Sequence, residues 1–569
     1  MNLVSRKYLG GVIAAIASGA LLSLPMSLPA SAGWLSWLVP LALVPLFVAI
    51  ERLPVQGAGG VRTYHKVVKV TAWSRALQAF ALFWIAGAVF CALGMSWVTV
   101  ALLRSTDLSH PVAYGLFIGF CLLFGLYFPL VFSPFVLGAA RGVRKQASLL
   151  PIWALAFITT GIEIWFPRNW SWTFGSLADF SYAINQWVSL FGTSALTPLV
   201  VGGSAYLARS VVGVGSSAVR TVMMLASLLA IWVVVFALGE WRLSVMENRV
   251  DGVRRTRIAV MLPGDMANRV KRDQSPEAAV GRLDALVELS RKTVTGHQDK
   301  AKIELVAWPK DELPESFSIS PEQMEKVRGL ARELDVSILV AADEFDFGQG
   351  SQELTPKTAG YKAAFLIRPD GSKSESYRQQ YLTPFEGDLP FEETFPFLTG
   401  FAKDHVGQSR RWRVGSTTPS LSYSPDFRVG VLLSFDAMHP EVAQREAGRA
   451  EDTETGEAGV LVHLSSFWSV TGTNAPQILQ GMARWRAIET GRSLVSLGAS
   501  GDLWAFDPLG RTVVKRSSRE ARGVVVQLPA FDPDTVFDTF FSDFRNSIYG
   551  VFVVISMAAL LFSLFRRSH

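Results

Sequence analysis

Apolar runs dominate the first 241 positions of the chain. They fall at about Tyr8–Leu28, Trp34–Ile50, Leu77–Leu103, Val112–Ala139, Leu149–Phe166, Gln186–Ala208 and Val222–Trp241, and one more, Ile548–Phe565, stands alone near the C-terminus. A helix rises about 1.5 Å per residue, so roughly 20 apolar residues cross the ~30 Å hydrocarbon core of a bilayer. The pattern predicts a multi-pass α-helical bundle of about eight spans. The first run follows Arg6-Lys7 and precedes Ala30-Ser31-Ala32, which is the look of a signal peptide with its cleavage site. The spans that follow at once favour a retained first helix.

Beyond position 241 the pattern changes to short apolar runs separated by amphipathic stretches. Arg257–Leu262, Ile303–Ala307, Val336–Ala341, Ala363–Ile367, Phe427–Leu433, Gly459–Leu464, Ser493–Ser496, Leu503–Phe506 and Gly523–Gln527 read as strands. Ser275–His297 and Pro321–Leu334 read as helices, and Asp370-Gly371 and Asp507-Pro-Leu-Gly510 as turns. Sheets flanked by helices follow, in an α-β-β-α sandwich. The organisation this implies is a membrane domain over 1–241, an α/β domain over 242–545 and a last membrane helix over 546–569. Residues 447–458 read as a polar loop, and there are no internal repeats.

Composition supports the membrane reading. Half of the 569 residues are hydrophobic, with 17 Trp and 37 Phe, and mean hydropathy is positive at +0.28. A net charge of +6 by itself suggests an acidic partner, but the placement of the basic residues matters more. They cluster at Arg6 and Lys7, at Arg52, Arg62, Lys66, Lys69 and Arg75, at Arg141, Arg144 and Lys145, at Arg209 and Arg220, and at Arg566 and Arg567. Alternate loops hold little beyond Arg104 and Arg168. By the positive-inside rule both termini face the cytoplasm and residues 242–545 lie outside it, in the periplasm of a Gram-negative cell. The basic excess is then a topology signal, and no nucleic acid is expected as a partner.

Two further readings come from local chemistry. Trp165-Phe-Pro-Arg-Asn-Trp-Ser-Trp-Thr-Phe174 is either an aromatic belt at the outer interface or a re-entrant arm shaping a lipid-facing entrance. His297, His405, His439 and His463 are dispersed, and the two cysteines, Cys91 and Cys121, lie inside apolar runs. No metal site, disulfide framework or phosphate-binding loop is indicated, so no cofactor is expected.

Five strings then carry a resemblance. Leu305-Val-Ala-Trp-Pro-Lys310 is similar to a strand that ends Trp-Pro-Glu in the carbon–nitrogen hydrolase (nitrilase) superfamily. Tyr377-Arg-Gln-Gln-Tyr-Leu-Thr-Pro-Phe385 resembles its Tyr-x-Lys-x-His-Leu-x-Pro-Phe, and Leu433-Ser-Phe-Asp436 its Ile-Cys-Tyr-Glu. Gln477, Gln480, Ala483-Arg484 and Arg486-Ala-Ile-Glu-Thr-Gly-Arg492 fit a family helix, and Ser500-Gly501 with Asp507-Pro-Leu-Gly-Arg511 its closing strand and hairpin. Inside this membrane frame, and with Trp34–Leu46 similar to the second span, the chain resembles bacterial apolipoprotein N-acyltransferases over nearly its whole length.

The resemblance implies an inner-membrane protein with a periplasmic nitrilase-like domain. It implies chemistry in which a cysteine thioester carries an acyl chain from a phospholipid to a lipoprotein. Position by position, however, the base place holds Lys310, the lysine place Gln379 and the nucleophile place Ser434. A supporting glutamate is displaced as well, so Glu386 or Asp388 could stand in only with a one-residue shift. A serine hydroxyl needs a strong, well-placed base, which a protonated lysine is not.

The leading expectation is a catalytically degenerate relative that binds a phospholipid, a lipidated protein or a membrane partner. The enzymatic alternative is an acyltransferase or hydrolase in which His463, oriented by Asp436, or else Lys310, activates Ser434. A third is an accessory role in conjugative plasmid transfer. If inactive, Lys310 is expected to pair with Asp436 or Glu386, and His439 to be solvated in its turn.

Overall fold

Six helices are long and apolar enough to cross a membrane among the described residues: Tyr8–Ser27, Trp34–Glu51, Ala72–Gly94, His110–Val131, Thr193–Gly213 and Ala218–Val250, with Pro151–Trp165 a shorter apolar one. The computed structural model describes residues 3–27, 30–53, 62–63, 66–67, 71–106, 108–141, 149–167, 171–213, 218–264, 276–297, 301–347, 358–383, 412–416, 419, 421–424, 427–448, 458–530, 554 and 557. The expected last span, Ile548–Phe565, and both Glu386 and Asp388 lie outside this set. By internal contacts the chain forms two units, one of Met1–Thr99, Pro111–Arg242 and Asp543–His569, the other of Val100–His110 and Leu243–Ser542.

In the first unit the helices approach closely where side chains are small. A Cβ on Gly19 would sit 2.3 Å from the Ala86 carbonyl oxygen, and one on Gly87 2.5 Å from that of Gly125. Such contacts are how apolar helices gain packing when lipid is as apolar as they are. Along Ala218–Val250 the residues Val219, Val222, Met223, Leu229, Val233 and Trp241 are exposed, an apolar surface suited to lipid rather than water.

Three expected spans are more broken than hydropathy suggests. Leu77–Leu103 divides into Ala72–Gly94 and Trp97–Ser105, and Val112–Ala139 into His110–Gly125, Tyr127–Val131 and Ser133–Arg141. Pro129 and Pro134 lie in the last two pieces, where a missing N–H interrupts the helical ladder. Gln186–Ala208 becomes a continuous helix only from Thr197, after two short turns and Gly192, whose φ is 70°.

The segment that reads as belt or arm is buried in its second half. Trp172 and Phe174 are 3% and 0% exposed and pack against Tyr127, Phe128, Phe132 and Phe90. Glu163 anchors it. Its carboxylate accepts from the Phe174 N–H at 2.8 Å, the Thr197 hydroxyl at 2.7 Å and the Tyr127 hydroxyl at 3.2 Å. Thr197 in turn accepts from the Gly175 N–H at 3.0 Å. This network gives the Phe174 and Gly175 N–H groups acceptors where the backbone is not helical.

The second unit is the expected α-β-β-α sandwich. One sheet has the order Arg522–Pro529, Arg255–Leu262, Leu305–Ala307, Ser337–Asp346, Ala359–Ile367, Tyr377–Arg378, and Trp412–Arg413 also pairs with Ala359–Ile367. The other runs Thr512–Ser517, Asp502–Phe506, Ser493–Gly498, Ala458–Ser465, Arg428–Leu433. Side chains alternate along a strand. Ile258, Val260, Leu262, Val429, Val431 and Leu433 therefore meet between the sheets. Ala259 and Met261 instead face the helices Pro276–Thr295 and Pro321–Leu334. Leu432 and Leu461 face Pro440–Ala447 and Ala475–Thr490.

Candidate functional site

Ser434 stands where the strand Arg428–Leu433 ends and a short 3-10 turn, Ser434–Met438, begins. Its φ is 48°, in the left-handed region that costs a side chain with a Cβ about 1–2 kcal/mol. Such strain persists only where the surroundings hold it. Here they do. His463, on the neighbouring parallel strand, places its Nε2 2.9 Å from the Ser434 backbone oxygen, and its Nδ1 2.8 Å from the Ser496 hydroxyl on the strand beyond.

These two partners settle the tautomer. A carbonyl oxygen only accepts, so Nε2 carries the proton, and Nδ1 accepts from Ser496. Burial pushes the His463 pKa down to about 4, with Lys310's charge acting the same way. The ring is neutral at ordinary pH, and both nitrogens are committed. Among the described residues, no hydrogen bond reaches the Ser434 hydroxyl, whose side chain is partly exposed.

Asp436 is turned inward. It accepts from the Tyr377 hydroxyl at 2.6 Å and from the backbone N–H groups of Tyr381, Gln380 and Leu433 at 2.8, 3.1 and 3.2 Å. Burial lifts its pKa to about 7 despite these donors. It ties the turn after Ser434 to the segment Tyr377–Tyr381 and makes no contact with His463 that could orient it. Tyr377 and Tyr381 were part of the sequence motif, but nothing in their spacing marked them as Asp436's donors.

Lys310, 5% exposed, follows the strand Leu305–Ala307. Its Nζ lies 3.4 Å from Gln379 Oε1, and the Gln379 amide donates through Nε2 to the Tyr381 carbonyl at 2.7 Å. Gln379 therefore presents an acceptor to Lys310, and its own N–H is engaged elsewhere. The expected Lys310 pairing with Asp436 is not the arrangement seen, because Asp436 is filled by neutral donors. Lys310's field reaches Asp343, which pairs with Lys362 at 2.8 Å.

His439 is a correction. It is 2% exposed rather than solvated, stacks on Tyr381 with ring centres 3.5 Å apart and lies 3.3 Å from Glu441. Glu441 also accepts from the Tyr381 hydroxyl at 2.9 Å. Burial raises the Glu441 pKa, but His439 and the other donors outweigh it and hold it at about 2. The i, i+2 spacing of His439 and Glu441 was the available signal; the stacking partner Tyr381, 58 positions before His439, was not. No group of three or more His, Cys, Asp or Glu suited to a metal occurs among the described residues.

No family model matches the chain. Apolipoprotein N-acyltransferase from Pseudomonas aeruginosa (strain LESB58) is 24% identical over 527 residues, which is 90% of this chain and 89% of that protein. The protein of the same name from Geobacter metallireducens is 25% identical over 443 residues, 76% of this chain and 78% of its own. Among solved structures, an amidase from Nesterenkonia sp. is 19% identical and covers 51% of this chain and 96% of that one, with a TM-score of 0.34. Along nearly its whole length the chain is similar to proteins named apolipoprotein N-acyltransferase, and it combines apolar helices with an α/β domain of two sheets flanked by helices.

Proposed function

We propose that this chain is a membrane protein of the bacterial inner membrane whose nitrilase-like domain binds a lipid or a lipidated protein without performing acyl transfer through an enzyme-bound ester. In this reading residues 1–241 and 546–569 form the membrane part with both termini cytoplasmic, and 242–545 is periplasmic.

One observation carries it: among the described residues, no group that could take a proton is hydrogen-bonded to the Ser434 hydroxyl. His463 uses Nε2 on the Ser434 carbonyl and Nδ1 on Ser496. Asp436 is occupied by four donors, and Lys310 brings an ammonium, a donor, to the place where the resemblance calls for a base. Acyl transfer through serine needs a general base within about 2.6–3.2 Å of the hydroxyl and preorganised donors for the oxyanion. Loss of the donors alone slows such reactions roughly 10²–10³-fold.

The test is covalent labelling of the purified full-length protein with a serine-reactive fluorophosphonate, beside Ser434→Ala. Equal, background labelling of the two supports the binding role. Strong labelling of the wild type that disappears in Ser434→Ala would return the site to the serine enzymes.

A further inference from the structure

Val100–His110 leads from one apolar helix, Ala72–Gly94, into another, His110–Val131, yet by internal contacts it belongs with Leu243–Ser542. One bond within that unit stands out. Arg104, in the helix Trp97–Ser105, donates through its guanidinium to the Thr471 carbonyl at 2.6 Å. Hydrogen bonds from a charged donor are roughly twice as strong as neutral ones.

Thr471 closes a short loop after the strand Ala458–Ser465. Its hydroxyl donates to the Phe467 carbonyl at 3.0 Å, and the Val470 N–H donates to the same oxygen at 3.1 Å. Phe467 has a φ of 57°, where a bulky residue is an outlier that its surroundings must hold. Its ring is seated where Gly498 has no side chain: a Cβ there would lie 2.4 Å from Phe467 Cδ2. The ring also meets His463 edge-to-face, with centres 6.3 Å apart and planes at 67°. His463 in turn holds the Ser434 carbonyl at 2.9 Å. Arg104, Thr471, Phe467, His463 and Ser434 therefore form one continuous line of contacts.

We infer that Arg104 is a positioning residue: it keeps Phe467 seated against His463, so that the turn at Ser434 answers to the connector between two apolar helices. Without Arg104 the Thr471 carbonyl loses its charged donor, and the strain at Phe467 is free to relax. The ring then withdraws from His463, and the imidazole that braces Ser434 loses a wall. Coupling of this kind needs an element with a second arrangement to adopt. Phe467 has one, the ordinary right-handed region of the backbone. The inference goes beyond ligand binding and holds whether Ser434 binds or reacts.

The experiment measures how fast iodoacetamide alkylates the thiol of Ser434→Cys in the full-length protein in maltoside detergent. Cys91 and Cys121 are buried, so the reading is local. Adding Arg104→Met should raise the rate about two- to thirtyfold, the range that such coupling spans. Arg104→Lys keeps a charged donor and should stay near the reference. Phe467→Gly should raise the rate as well, and Arg104→Met should then add little, because both changes act on one contact.

An unchanged rate in Arg104→Met overturns the proposal, and so do two effects that simply multiply. A lower unfolding midpoint with no change in rate would make Arg104 a loop anchor and nothing more. The comparison of Arg104→Met with Arg104→Lys stands even if Phe467→Gly folds poorly. Fluorophosphonate labelling judges the reading of Ser434 separately.

Discussion

His463 holds Ser434 by its main chain: Nε2 lies 2.9 Å from the Ser434 carbonyl oxygen, and the ring's other nitrogen faces Ser496. A histidine beside a serine suggests a catalytic pair, yet this bond has the opposite polarity. The ring donates to the serine's backbone and has no vacancy for its hydroxyl proton. What it stabilises is a turn whose first residue has a φ of 48°.

Asp436 and His463 should give opposing pH dependences of stability. Burial pushes His463 down from 6.5 to about 4, and lifts Asp436 from 3.8 to about 7. Between about 4 and 6.5 the unfolded chain binds the histidine proton more readily, so His463 withdraws stability as pH falls. Across nearly the same window the folded protein holds the Asp436 proton more readily, so that group adds stability as pH falls and loses it as pH rises through about 7. Each contributes on the order of 3 kcal/mol, and they largely cancel. Denaturation midpoints of the wild type should thus be nearly flat over this range. His463→Asn should become more stable toward low pH, and Asp436→Asn less stable. Parallel profiles for the two variants would contradict the opposed assignments.

Ser434→Gly should be more stable than Ser434→Ala by about 1 kcal/mol. Both lose the hydroxyl, and both keep the carbonyl that His463 holds. Only glycine adopts a φ of 48° without the Cβ penalty. Chemical denaturation of the two variants side by side checks this. An alanine variant equal to the glycine variant would show that the turn relaxes once the side chain is gone.

Legibility of the fold followed the physics that writes it into sequence. The short apolar run Phe427–Leu433 reads as a strand, and Val429, Val431 and Leu433 do lie between the two sheets. Span positions were legible from hydropathy, but the breaks at Met95, Leu126 and Gly192 were not, because an apolar run reads the same whether its backbone continues or turns. The strand Thr512–Ser517 escaped notice because it is exposed along nearly its whole length and so lacks alternation. At the site, the identities at 310, 379 and 434 were legible through resemblance. The partners were not: Ser496 reaches His463 only through the register of two parallel strands, 33 positions apart.

Glu163 should matter through its hydrogen bonds. Glu163→Ala leaves the Phe174 N–H and the Tyr127 and Thr197 hydroxyls without their acceptor, at a cost of about 3–5 kcal/mol. Glu163→Gln keeps an acceptor for two of the three and should cost about 1 kcal/mol. Thermal unfolding in detergent ranks the variants. Maleimide labelling of Ser176→Cys gives a local readout, since Cys91 and Cys121 are buried. Fast labelling in the alanine background and slow labelling in the glutamine background is expected. Wild-type labelling in both would mean the turn is held by its aromatic packing alone.

Installing thioester chemistry at this turn should require three changes together. Ser434→Cys alone places a thiol on the turn, but its neighbours remain a cation at 310 and a glutamine whose N–H groups face Tyr381. Lys310→Glu supplies the base, and Gln379→Lys a cationic donor for the oxyanion. Catalytic groups of this kind act as a unit, so any single or double change should stay at background. The triple variant, mixed with a phospholipid acyl donor, should show an acyl-sized increase in intact mass, removed by hydroxylamine as a thioester would be. A single Ser434→Cys change that acylates as fast as the triple variant would mean that the site still contains a base and an oxyanion donor, and the binding-only reading would be wrong. No adduct in the triple variant, with the fold intact by its unfolding profile, would instead mean that the acyl-donor site has diverged along with the three side chains.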